Sequence, residues 1–433
     1  MRSSAGSIET LKASFAAAVD AADPLKIIGA HLPSTKPRRV VVVGAGKAAA
    51  SMAVAVERHW PDVPLEGLVI TRHAHGLPTK SIRVVEAGHP VPDAAGEDAA
   101  REILRLAAAA EKGDLLLVLV SGGGSSLLSL PVSAISMDDL KALTRSLLAS
   151  GAPIEQMNVV RKHLSQIAGG RLGAVAAARG AEVRALIISD VTGDAPSDIA
   201  SGPCAPDPST YADAQAILRR WNVTPPRSIG DWLARGARGE IEETPKPGDA
   251  VFDRISNRVI ATARGSLEAA AGVFSAASIA PVILGDTVTG EARDVAKVYA
   301  ALVREIRACG KPFTPPVALI SGGECTVTLP PGIKGRGGRC TEFLLSLAVE
   351  LDGVANVHAL AADTDGIDGS EDNAGAWLAP DSSQRAAAAG ISARAALDTH
   401  DAYGFFAAAD TLLTTGPTRT NVNDYRVILV TPD

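Results

Sequence analysis

The sequence predicts an α/β protein with two domains, and three observations support that prediction. The chain has 433 residues, which is too long for one ordinary hydrophobic core and long enough for two. Apolar residues make up 46% of it but aromatic residues only 3%, so the core is built mainly from Ala, Val, Leu and Ile. Short runs of these residues alternate with Ala-rich helical patterns along the whole chain, as in parallel sheets covered by helices.

The predicted strands are continuous apolar runs, which are typical of strands buried on both faces. Ahead of them, Leu11, Phe15 and Val19 recur at every fourth position and predict an amphipathic helix. The clearest strands cover residues 39–43, 67–71, 83–87, 115–120, 184–189, 281–284, 317–320, 357–361 and 426–431.

A break in composition at residues 222–250 predicts a domain boundary, because prolines such as Pro225-Pro226 punctuate a polar stretch there. We therefore predict an N-terminal domain of residues 1–235 and a C-terminal domain of residues 245–433. The alternative is a long surface loop within one domain.

Composition and charge exclude several classes of function. The net charge of −6 gives no basic field for nucleic acid or an anionic membrane. The acidic N-terminal segment does not resemble a signal peptide, and no run of 18 apolar residues could span a membrane. The four cysteines show neither CxxC pairing nor zinc-finger spacing. We expect a cytoplasmic protein whose partners are small molecules, and the sequence leaves a homodimer open.

A glycine turn after the first predicted strand could bind an anion. Gly44 and Gly46 allow the backbone to approach a ligand at the start of a helix, where free N–H groups point outward. The spacing to Ala49 also satisfies the dinucleotide fingerprint, but Lys47 would place a fixed cation beside the pyrophosphate. No acid follows the second strand where a ribose hydroxyl would need one. The alternative is a packing turn with a solvated lysine.

A second turn, residues 121–126, has three consecutive glycines between serines and follows the strand at 115–120. Such a turn forms a concave nest of backbone N–H donors for phosphate or carboxylate. The segment 321–323 repeats the Ser-Gly-Gly pattern after another predicted strand. The P-loop motif and the protein-kinase catalytic loop are both absent from the sequence.

Charged residues cluster in four further segments. The basic run at 158–171 and the loop Gly335–Arg339 could bind carboxylate or phosphate, although solvated surface charge is the alternative for both. Carboxylates follow two predicted strands, at 190–194 and 363–368, and favour a Mg²⁺ site. Turn-forming aspartates are the alternative there, and the calcium-loop spacing of EF-hands is not met.

Taken together, these segments resemble the glycerate 2-kinase family, whose C-terminal part is called the MOFRL domain. The resemblance runs through nearly the whole chain in the family's order, and the ordered set is specific. It comprises GAGKAAASMA at 44–53, GHPVPD at 88–93, SGGGSS at 121–126, NVVRKHLSQIAGG at 158–170, SDVTGD at 189–194, IASGP at 199–203, SGGECTVTL at 321–329, GRGGR at 335–339, DTDGIDG at 363–369 and TGPTRTNVND at 415–424.

The resemblance implies a Rossmann-like parallel sheet in the N-terminal domain, a mixed sheet in a MOFRL region of about 315–430, and an active site in the cleft between the domains. It implies ATP and Mg²⁺ as cofactors and D-glycerate as the substrate. The expected catalytic residues are Lys47, Arg339 and Asp190. The expected metal ligands are Asp190, Asp194, Asp363 and Asp365. The expected contacts to substrate or phosphate are Gly44, Gly46, Ser121, Gly122, Gly123, Gly124, Ser125, Arg161, Lys162, Ser321, Gly322, Gly323 and Glu342.

The chain departs from the family pattern at two places. Cys340 and Thr341 stand where Asn-Gln is common, and Ala168 stands where a lysine is more usual. Both departures bear on substrate specificity. Some family members carry the label hydroxypyruvate reductase, so an NAD(P)H-dependent reductase is the alternative function. A non-catalytic anion-binding protein is a third hypothesis, which the acidic and basic clusters in both halves disfavour.

Overall fold

The computed structural model describes residues 4–432, and all nine predicted strands are confirmed there. The strands are β1 Val40–Ala45, β2 Leu65–Arg72, β3 Ile82–Ala87, β4 Leu115–Val120, β5 Glu182–Ile188, β6 Ile255–Ala261, β7 Ala280–Gly285, β8 Gly290–Glu291, β9 Val317–Ser321, β10 Cys325–Thr326, β11 Val357–Asp363, β12 Gly375–Leu378, β13 Leu412–Leu413 and β14 Asp424–Val430. The α-helices are α1 Ser4–Asp20, α2 Pro24–Ile27, α3 Ala49–His59, α4 Ala94–Ala108, α5 Gly124–Leu127, α6 Met137–Ser150, α7 Ile154–His163, α8 Arg171–Ala178, α9 Tyr211–Arg220, α10 Arg227–Ala237, α11 Ala263–Ala276, α12 Ala292–Cys309, α13 Arg339–Leu351, α14 Ser382–Ala388, α15 Ala393–Asp398 and α16 Ala402–Ala408.

Contacts within the chain separate it into two compact units. The central unit runs from Pro24 to Ile260, and the terminal unit combines the chain up to Asp23 with the chain from Ala261 onward. Two elements account for this division. Helix α1 packs against α11, and strand β6 hydrogen-bonds to β5 at the end of the first sheet. The division between the units follows β6, at Ile260, whereas the predicted boundary at residues 235–245 precedes β6.

The central unit contains a six-stranded sheet in the order β3-β2-β1-β4-β5-β6. The pairs β2–β3, β1–β2, β1–β4 and β4–β5 are all parallel, which is the Rossmann arrangement predicted for this part of the chain. Every residue of β1 and β4 is buried. Burial on both faces explains why these strands read as unbroken runs of Val and Leu.

The terminal unit contains a mixed six-stranded sheet in the order β13-β12-β11-β14-β9-β7, as predicted. Strands β7 and β9 are parallel, whereas β9, β14, β11, β12 and β13 pair antiparallel in turn. Alternate residues of β9 enter different cores, because successive side chains of a strand point to opposite faces. Val317 and Leu319 pack with residues of α12 and α13, and Ala318 and Ile320 pack with residues of α1 and α11. Within residues 4–432, no helix combines the length and the apolar character needed to cross a membrane.

Candidate active site

The sheet order of the central unit marks a binding crevice between β1 and β4. In parallel sheets of this order the connections change direction between these two strands, and ligands bind outside their carboxyl ends. The chain leaves β1 through Gly46 and Lys47, and it leaves β4 through the serine-glycine turn at 121–125. The two turns that the sequence singled out as anion sites therefore lie side by side.

These turns approach each other so closely that Gly44 and Gly46 have no room for a side chain. A Cβ atom on Gly44 would lie 1.9 Å from a backbone oxygen of β4, and one on Gly46 would lie 2.1 Å from Oγ of Ser121. The N–H of Lys47 donates to the carbonyl of Gly122 at 2.8 Å. Both glycines are thus required for packing β1 against β4, whichever ligand the crevice binds.

The hydroxyl of Ser121 is used inside the fold. Ser121 is fully buried, and its Oγ accepts a hydrogen bond from the N–H of Ala48 at 3.0 Å. This contact satisfies a backbone donor at the start of α3 that has no partner in the helix itself. The structure therefore gives Ser121 an internal role, whereas we expected a contact to phosphate.

Lys47 and a histidine flank Gly123 in the crevice. Gly123 has a left-handed φ of 79°, and a Cβ atom there would lie 2.8 Å from Nε2 of His89 and 3.6 Å from Cγ of Lys47. Sequence analysis did not single out His89, although it stands in the GHPVPD motif. Asp93 of the same motif fixes this loop by accepting a hydrogen bond from the N–H of Gly88 at 2.8 Å. His89 is therefore an additional candidate for contacting a ligand.

A chain of side-chain hydrogen bonds joins the serine-glycine turn to α7. Oγ of Ser125 lies 2.9 Å from Oγ of Ser201, and Ser201 donates to Oδ1 of Asn158 at 3.2 Å. Nδ2 of Asn158 in turn donates to the carbonyl of Asp198 at 3.3 Å. Three of the motifs that carry the family resemblance therefore meet at one place in the central unit.

Ser201 lies on a strained segment of backbone. Ala200, Ser201 and Gly202 all have left-handed φ values, of 50°, 58° and 62°. A left-handed conformation costs a non-glycine residue roughly 1–2 kcal/mol, so the surrounding structure must hold this turn in place. The backbone N–H groups of Gly169 and Gly170 do so by donating to the carbonyls of Ser201 and Gly202 at 3.0 and 2.7 Å.

The two predicted basic ligands of α7 have different environments. Lys162 is 4% exposed, and its Nζ lies 3.8 Å from Asp198 and 3.6 Å from Asp207, so it stabilises the fold internally. The side chain of Arg161 is half-buried and has no ion-pair partner among the described residues. Burial, with no opposing carboxylate, lowers the pKa of Arg161. An anionic ligand would satisfy this guanidinium, whereas Lys162 is already paired.

Asp190 and Asp194 follow β5, which neighbours β4, so both lie at the same edge of the sheet as Lys47. Both side chains are half-buried. Asp194 has a left-handed φ of 53°, and its N–H donates to the carbonyl of Val191 at 3.2 Å. The segment is thus a tight turn that brings carboxylates to the carboxyl ends of the parallel strands.

In the terminal unit, Arg339 is held by three carboxylates. Its Nε lies 2.7 Å from Asp424, Nη1 lies 2.7 Å from Glu324, and Nη2 lies 2.9 Å from Asp363. Burial alone would lower the pKa of Arg339, but these three carboxylates outweigh it and raise the pKa well above its ordinary value. The guanidinium is therefore permanently charged and fixed in orientation.

The second Ser-Gly-Gly segment is held by a buried arginine. Arg426 is 1% exposed and donates to the carbonyls of Gly322 and Gly323 at 3.0 and 3.4 Å and to Asp424 at 2.6 Å. The N–H of Gly322 donates to the carbonyl of Gly285 at 2.9 Å. Ser321 is fully buried at the end of β9. These contacts fix the loop from the interior of the terminal unit. Because the N–H of Gly322 already has a partner, the loop has fewer N–H groups for a phosphate than the sequence indicated.

The glycine-arginine loop and the acidic loop after β11 form a single structure. Asp368 accepts hydrogen bonds from the N–H groups of Cys340 and Thr341 at 2.9 and 2.8 Å, so its carboxylate caps α13. A Cβ atom on Gly338 would lie 2.2 Å from Oδ1 of Asp368. Glycine is therefore needed at 338 because the capping carboxylate occupies the space of a side chain.

Glu342 has an internal role in the structure. It is 3% exposed, and its Oε1 lies 3.0 Å from Nε of Arg293 and 3.1 Å from Nδ1 of His400. Glu342 is one of the residues predicted to contact the substrate, and both of its partners in the structure are distant in the sequence.

The expected metal ligands do not form a prebuilt cage. Among residues 4–432, no group of three or more His, Cys, Asp or Glu side chains is arranged to hold a metal ion. Oδ2 of Asp363 binds Arg339, and its Oδ1 accepts from the N–H of Asp365 at 3.0 Å. Oδ1 of Asp365 accepts from the N–H of Ile367 at 2.9 Å. These residues fit a Mg²⁺ ion that takes few protein ligands and is held mainly by phosphate oxygens and water.

Comparisons with known proteins cover both units. Residues 10–234 match the model of a domain of unknown function, DUF4147, and residues 317–424 match the MOFRL family. A protein of Agrobacterium vitis named putative hydroxypyruvate reductase is 48% identical, over 98% of this chain and 94% of its own. The glycerate 2-kinase of Pyrococcus horikoshii is 40% identical, over 91% and 88% of the two chains. The crystal structure of a glycerate kinase from Thermotoga maritima superposes with a TM-score of 0.85 at 35% identity and covers 98% of both chains.

Proposed function

Because the chain belongs to the glycerate 2-kinase family, we propose that it transfers the γ-phosphoryl group of ATP to the 2-hydroxyl of D-glycerate, giving 2-phospho-D-glycerate and ADP. The observation that carries this proposal is the place of Lys47, at the carboxyl end of β1 and beside Gly123 of the neighbouring turn. A lysine at this point of the sheet can neutralise phosphate charge, which is the main requirement of phosphoryl transfer.

The roles of the central-unit residues follow from their charge. Lys47 stabilises the transferring phosphoryl group or holds the glycerate carboxylate, and kinetic constants distinguish these roles. Arg161 supplies a second cation, because its half-buried guanidinium has no carboxylate partner among the described residues. Asp190 is the candidate to accept the proton of the attacking hydroxyl, since a general base must be a group that can take up a proton within hydrogen-bond reach.

Arg339 has a more complex role than that of a solvated cation. With Arg426 it faces three carboxylates, so the group carries one net negative charge. Because this net charge is negative, an anionic substrate would be attracted to the group only if a cation were also bound there. Glu324 is the most exposed of the three carboxylates, at 55%, so its contact with Arg339 is the one that a substrate anion would replace.

We propose Mg²⁺ bound to the ATP phosphates as that cation. It would neutralise phosphate charge, and it would take one or two carboxylates, either Asp190 and Asp194 of the central unit or Asp365 of the terminal unit. Asp363 is the weakest of the four expected ligands, because both of its oxygens already accept hydrogen bonds.

The alternative function is NAD(P)H-dependent reduction of hydroxypyruvate. Its support is the name of the Agrobacterium vitis relative, which itself includes the word putative, and the glycine spacing after β1. Lys47 and the absence of an acid after β2, where the chain reads Thr71-Arg72-His73, both disfavour a dinucleotide.

The test is a pair of assays on the same preparation. ADP release should depend on D-glycerate and Mg²⁺, while NADH and NADPH should remain unoxidised with hydroxypyruvate. The Lys47→Ala variant should lose roughly 10²–10³-fold in kcat if Lys47 acts on the transition state, and should instead show a higher KM if it holds the carboxylate. Lys112→Ala is the matched control, since Lys112 is exposed at the opposite end of β4. Enzyme-like oxidation of NADPH without ADP formation would replace the kinase proposal with the alternative.

A further inference from the structure

The hydroxyl groups of Ser125 and Ser201 and the amide of Asn158 form a chain in which the direction of each hydrogen bond can be assigned. The chain begins in the serine-glycine turn and ends at the carbonyl of Asp198. Ser201 is 3% exposed and Asn158 also 3%, so these two groups are satisfied by protein atoms. Ser125, at the near end, is half-buried.

The direction of each hydrogen bond follows from the groups at the far end. A carbonyl can only accept, so the amide nitrogen of Asn158 faces Asp198 and its Oδ1 faces Ser201. A serine hydroxyl has one hydrogen, and Ser201 gives that hydrogen to Asn158. In the 2.9 Å contact between the two hydroxyls, Ser125 must therefore be the donor.

This assignment fixes the polarity of Ser125. Its single hydrogen is committed to Ser201, so its oxygen has only lone pairs for a ligand. A phosphate or carboxylate oxygen also presents lone pairs, and the two would repel each other. A hydroxyl group, in contrast, can donate its hydrogen to Ser125.

We propose that Ser125 is a specificity-determining residue that accepts a hydrogen bond from an alcohol hydroxyl of the substrate. This inference rests on the proposed function and deepens it, since a glycerate kinase binds two ligands that carry such a hydroxyl group. One is the hydroxyl of glycerate that does not react, and the other is a ribose hydroxyl of ATP.

The strained turn at Ser201 explains how the chain is held. The left-handed backbone from Ala200 to Gly202 is fixed by the N–H groups of Gly169 and Gly170. The turn lies against the start of α5, where a Cβ atom on Gly124 would be 2.6 Å from Cβ of Ala200. Ser201 is thus a positioning residue for Ser125.

Arg161 lies one turn after Asn158 on α7, so a cation is placed on the same helix face as the hydrogen-bonded chain.

The experiment measures the affinity of five ligands by calorimetry for the unaltered protein, Ser125→Ala and Ser201→Ala. D-glycerate is compared with D-lactate, which lacks the 3-hydroxyl, and ATP with its 2′-deoxy and 3′-deoxy analogues. In Ser125→Ala, the ligand whose hydroxyl contacts Ser125 should bind roughly 3- to 10-fold more weakly, while its deoxy analogue should bind unchanged. The glycerate pair and the ATP pairs thereby distinguish the two sources.

The Ser201→Ala variant tests the chain itself. It frees the hydrogen of Ser125, so the preference for the hydroxyl-bearing ligand should weaken, and it should have no further effect when combined with Ser125→Ala. Ser129→Ala is the control, because its hydroxyl donates to the backbone carbonyl of residue 125 and leaves the side chain of Ser125 unaltered. A Ser125→Ala variant that binds each ligand and its deoxy analogue with equal loss, or without loss, overturns the proposal.

The two proposals fail in different ways. If the unaltered protein binds D-glycerate but forms no ADP, the proposed function is wrong while the affinity ratios still test Ser125. If it forms ADP but Ser125→Ala keeps every affinity ratio, the kinase proposal stands and the role of Ser125 is wrong.

Discussion

The carboxylate of Asp424 binds Arg339 through Oδ1 at 2.7 Å, and its other oxygen binds a second arginine, Arg426, at 2.6 Å. The Asp424 side chain is completely buried, whereas Arg339 keeps a quarter of its side chain exposed. One carboxylate therefore orients both the arginine that the family resemblance identifies as catalytic and the arginine that braces the loop at 322–323.

Replacement of Asp424 should destabilise the protein far more than replacement of Glu324. Asp424→Asn removes the carboxylate that pairs with the buried Arg426 and one of the three carboxylates that face Arg339, and breaking a buried ion pair costs about 3–5 kcal/mol. Glu324 is 55% exposed, so Glu324→Gln should cost less than about 1 kcal/mol. Urea unfolding of both variants measures the difference, and equal midpoints would contradict the central position of Asp424.

Gly338→Ala should destabilise the terminal unit, because the added Cβ would displace the Asp368 carboxylate that caps α13. We expect a loss of about 1–3 kcal/mol in the free energy of unfolding, as for other overpacked sites. Gly272→Ala is the matched control. Gly272 lies inside α11, where a Cβ atom would meet nothing within 4 Å, so that variant should gain roughly 0.5–1 kcal/mol. A Gly338→Ala protein as stable as the unaltered one would mean that Asp368 moves without cost.

Adjacent residues of α7 should respond oppositely to loss of charge. Arg161→Met should raise the KM for an anionic substrate while leaving stability equal or higher, since it removes a half-buried charge without an ion-pair partner among the described residues. Lys162→Met should lower the free energy of unfolding by about 3–5 kcal/mol, because it leaves Asp207 buried beside Asp198 without their cation. Steady-state kinetics measure the KM of each variant, and urea unfolding measures its free energy of unfolding. A stable Lys162→Met protein would show that the ion pair contributes little.

Stability should decrease below about pH 6.5, in part because of His358. Burial lowers the pKa of His358 from 6.5, although Asp381 partly opposes this effect. The Nδ1 atom has no hydrogen-bond partner among the described residues, so a charged ring would be poorly solvated. The unfolded chain then takes up the proton at a higher pH than the folded one, so the stabilisation present above pH 6.5 is lost as the pH falls.

The expected slope for one such group is up to about 1.4 kcal/mol per pH unit below the unfolded pKa. His358→Leu should reduce the dependence of the unfolding free energy on pH between 6.5 and 5, as followed by urea unfolding at several pH values. His73→Ala is the control, because two thirds of that side chain is exposed. An unchanged slope in His358→Leu would assign the pH dependence to other groups.

The strands that are easiest to predict from the sequence are those buried on both faces. Residues of β4 are apolar throughout because both faces of the strand are buried, so the run is visible without knowing its neighbours. Strand β6 was missed because its first half, Ile-Ser-Asn-Arg, is mostly polar and gives no continuous apolar run. Its Asn257 donates to the carbonyl of Cys204 at 2.9 Å, a contact that no local pattern reveals.

The sequence indicates which loops approach each other, whereas it does not show which partners each charged side chain has. The glycine spacing located the turns after β1 and β4, because only glycine allows two backbones to approach so closely. Lys162 and Glu342 are predicted ligands, and their partners in the structure, Asp207 and Arg293, are 45 and 49 residues away in the sequence. Spacing along a chain identifies a charge but does not show whether another charge already neutralises it.

Helix α1 has a consequence for the time course of synthesis. Ser14 of this first helix accepts a hydrogen bond from Tyr425 of the last strand, 411 residues later, at 2.8 Å. At typical rates of about 5–20 residues per second, roughly 20–80 seconds pass between the synthesis of these two residues. During that interval the apolar face of α1 lacks part of its native packing partner. The terminal unit thus combines segments that the ribosome makes at widely separated times.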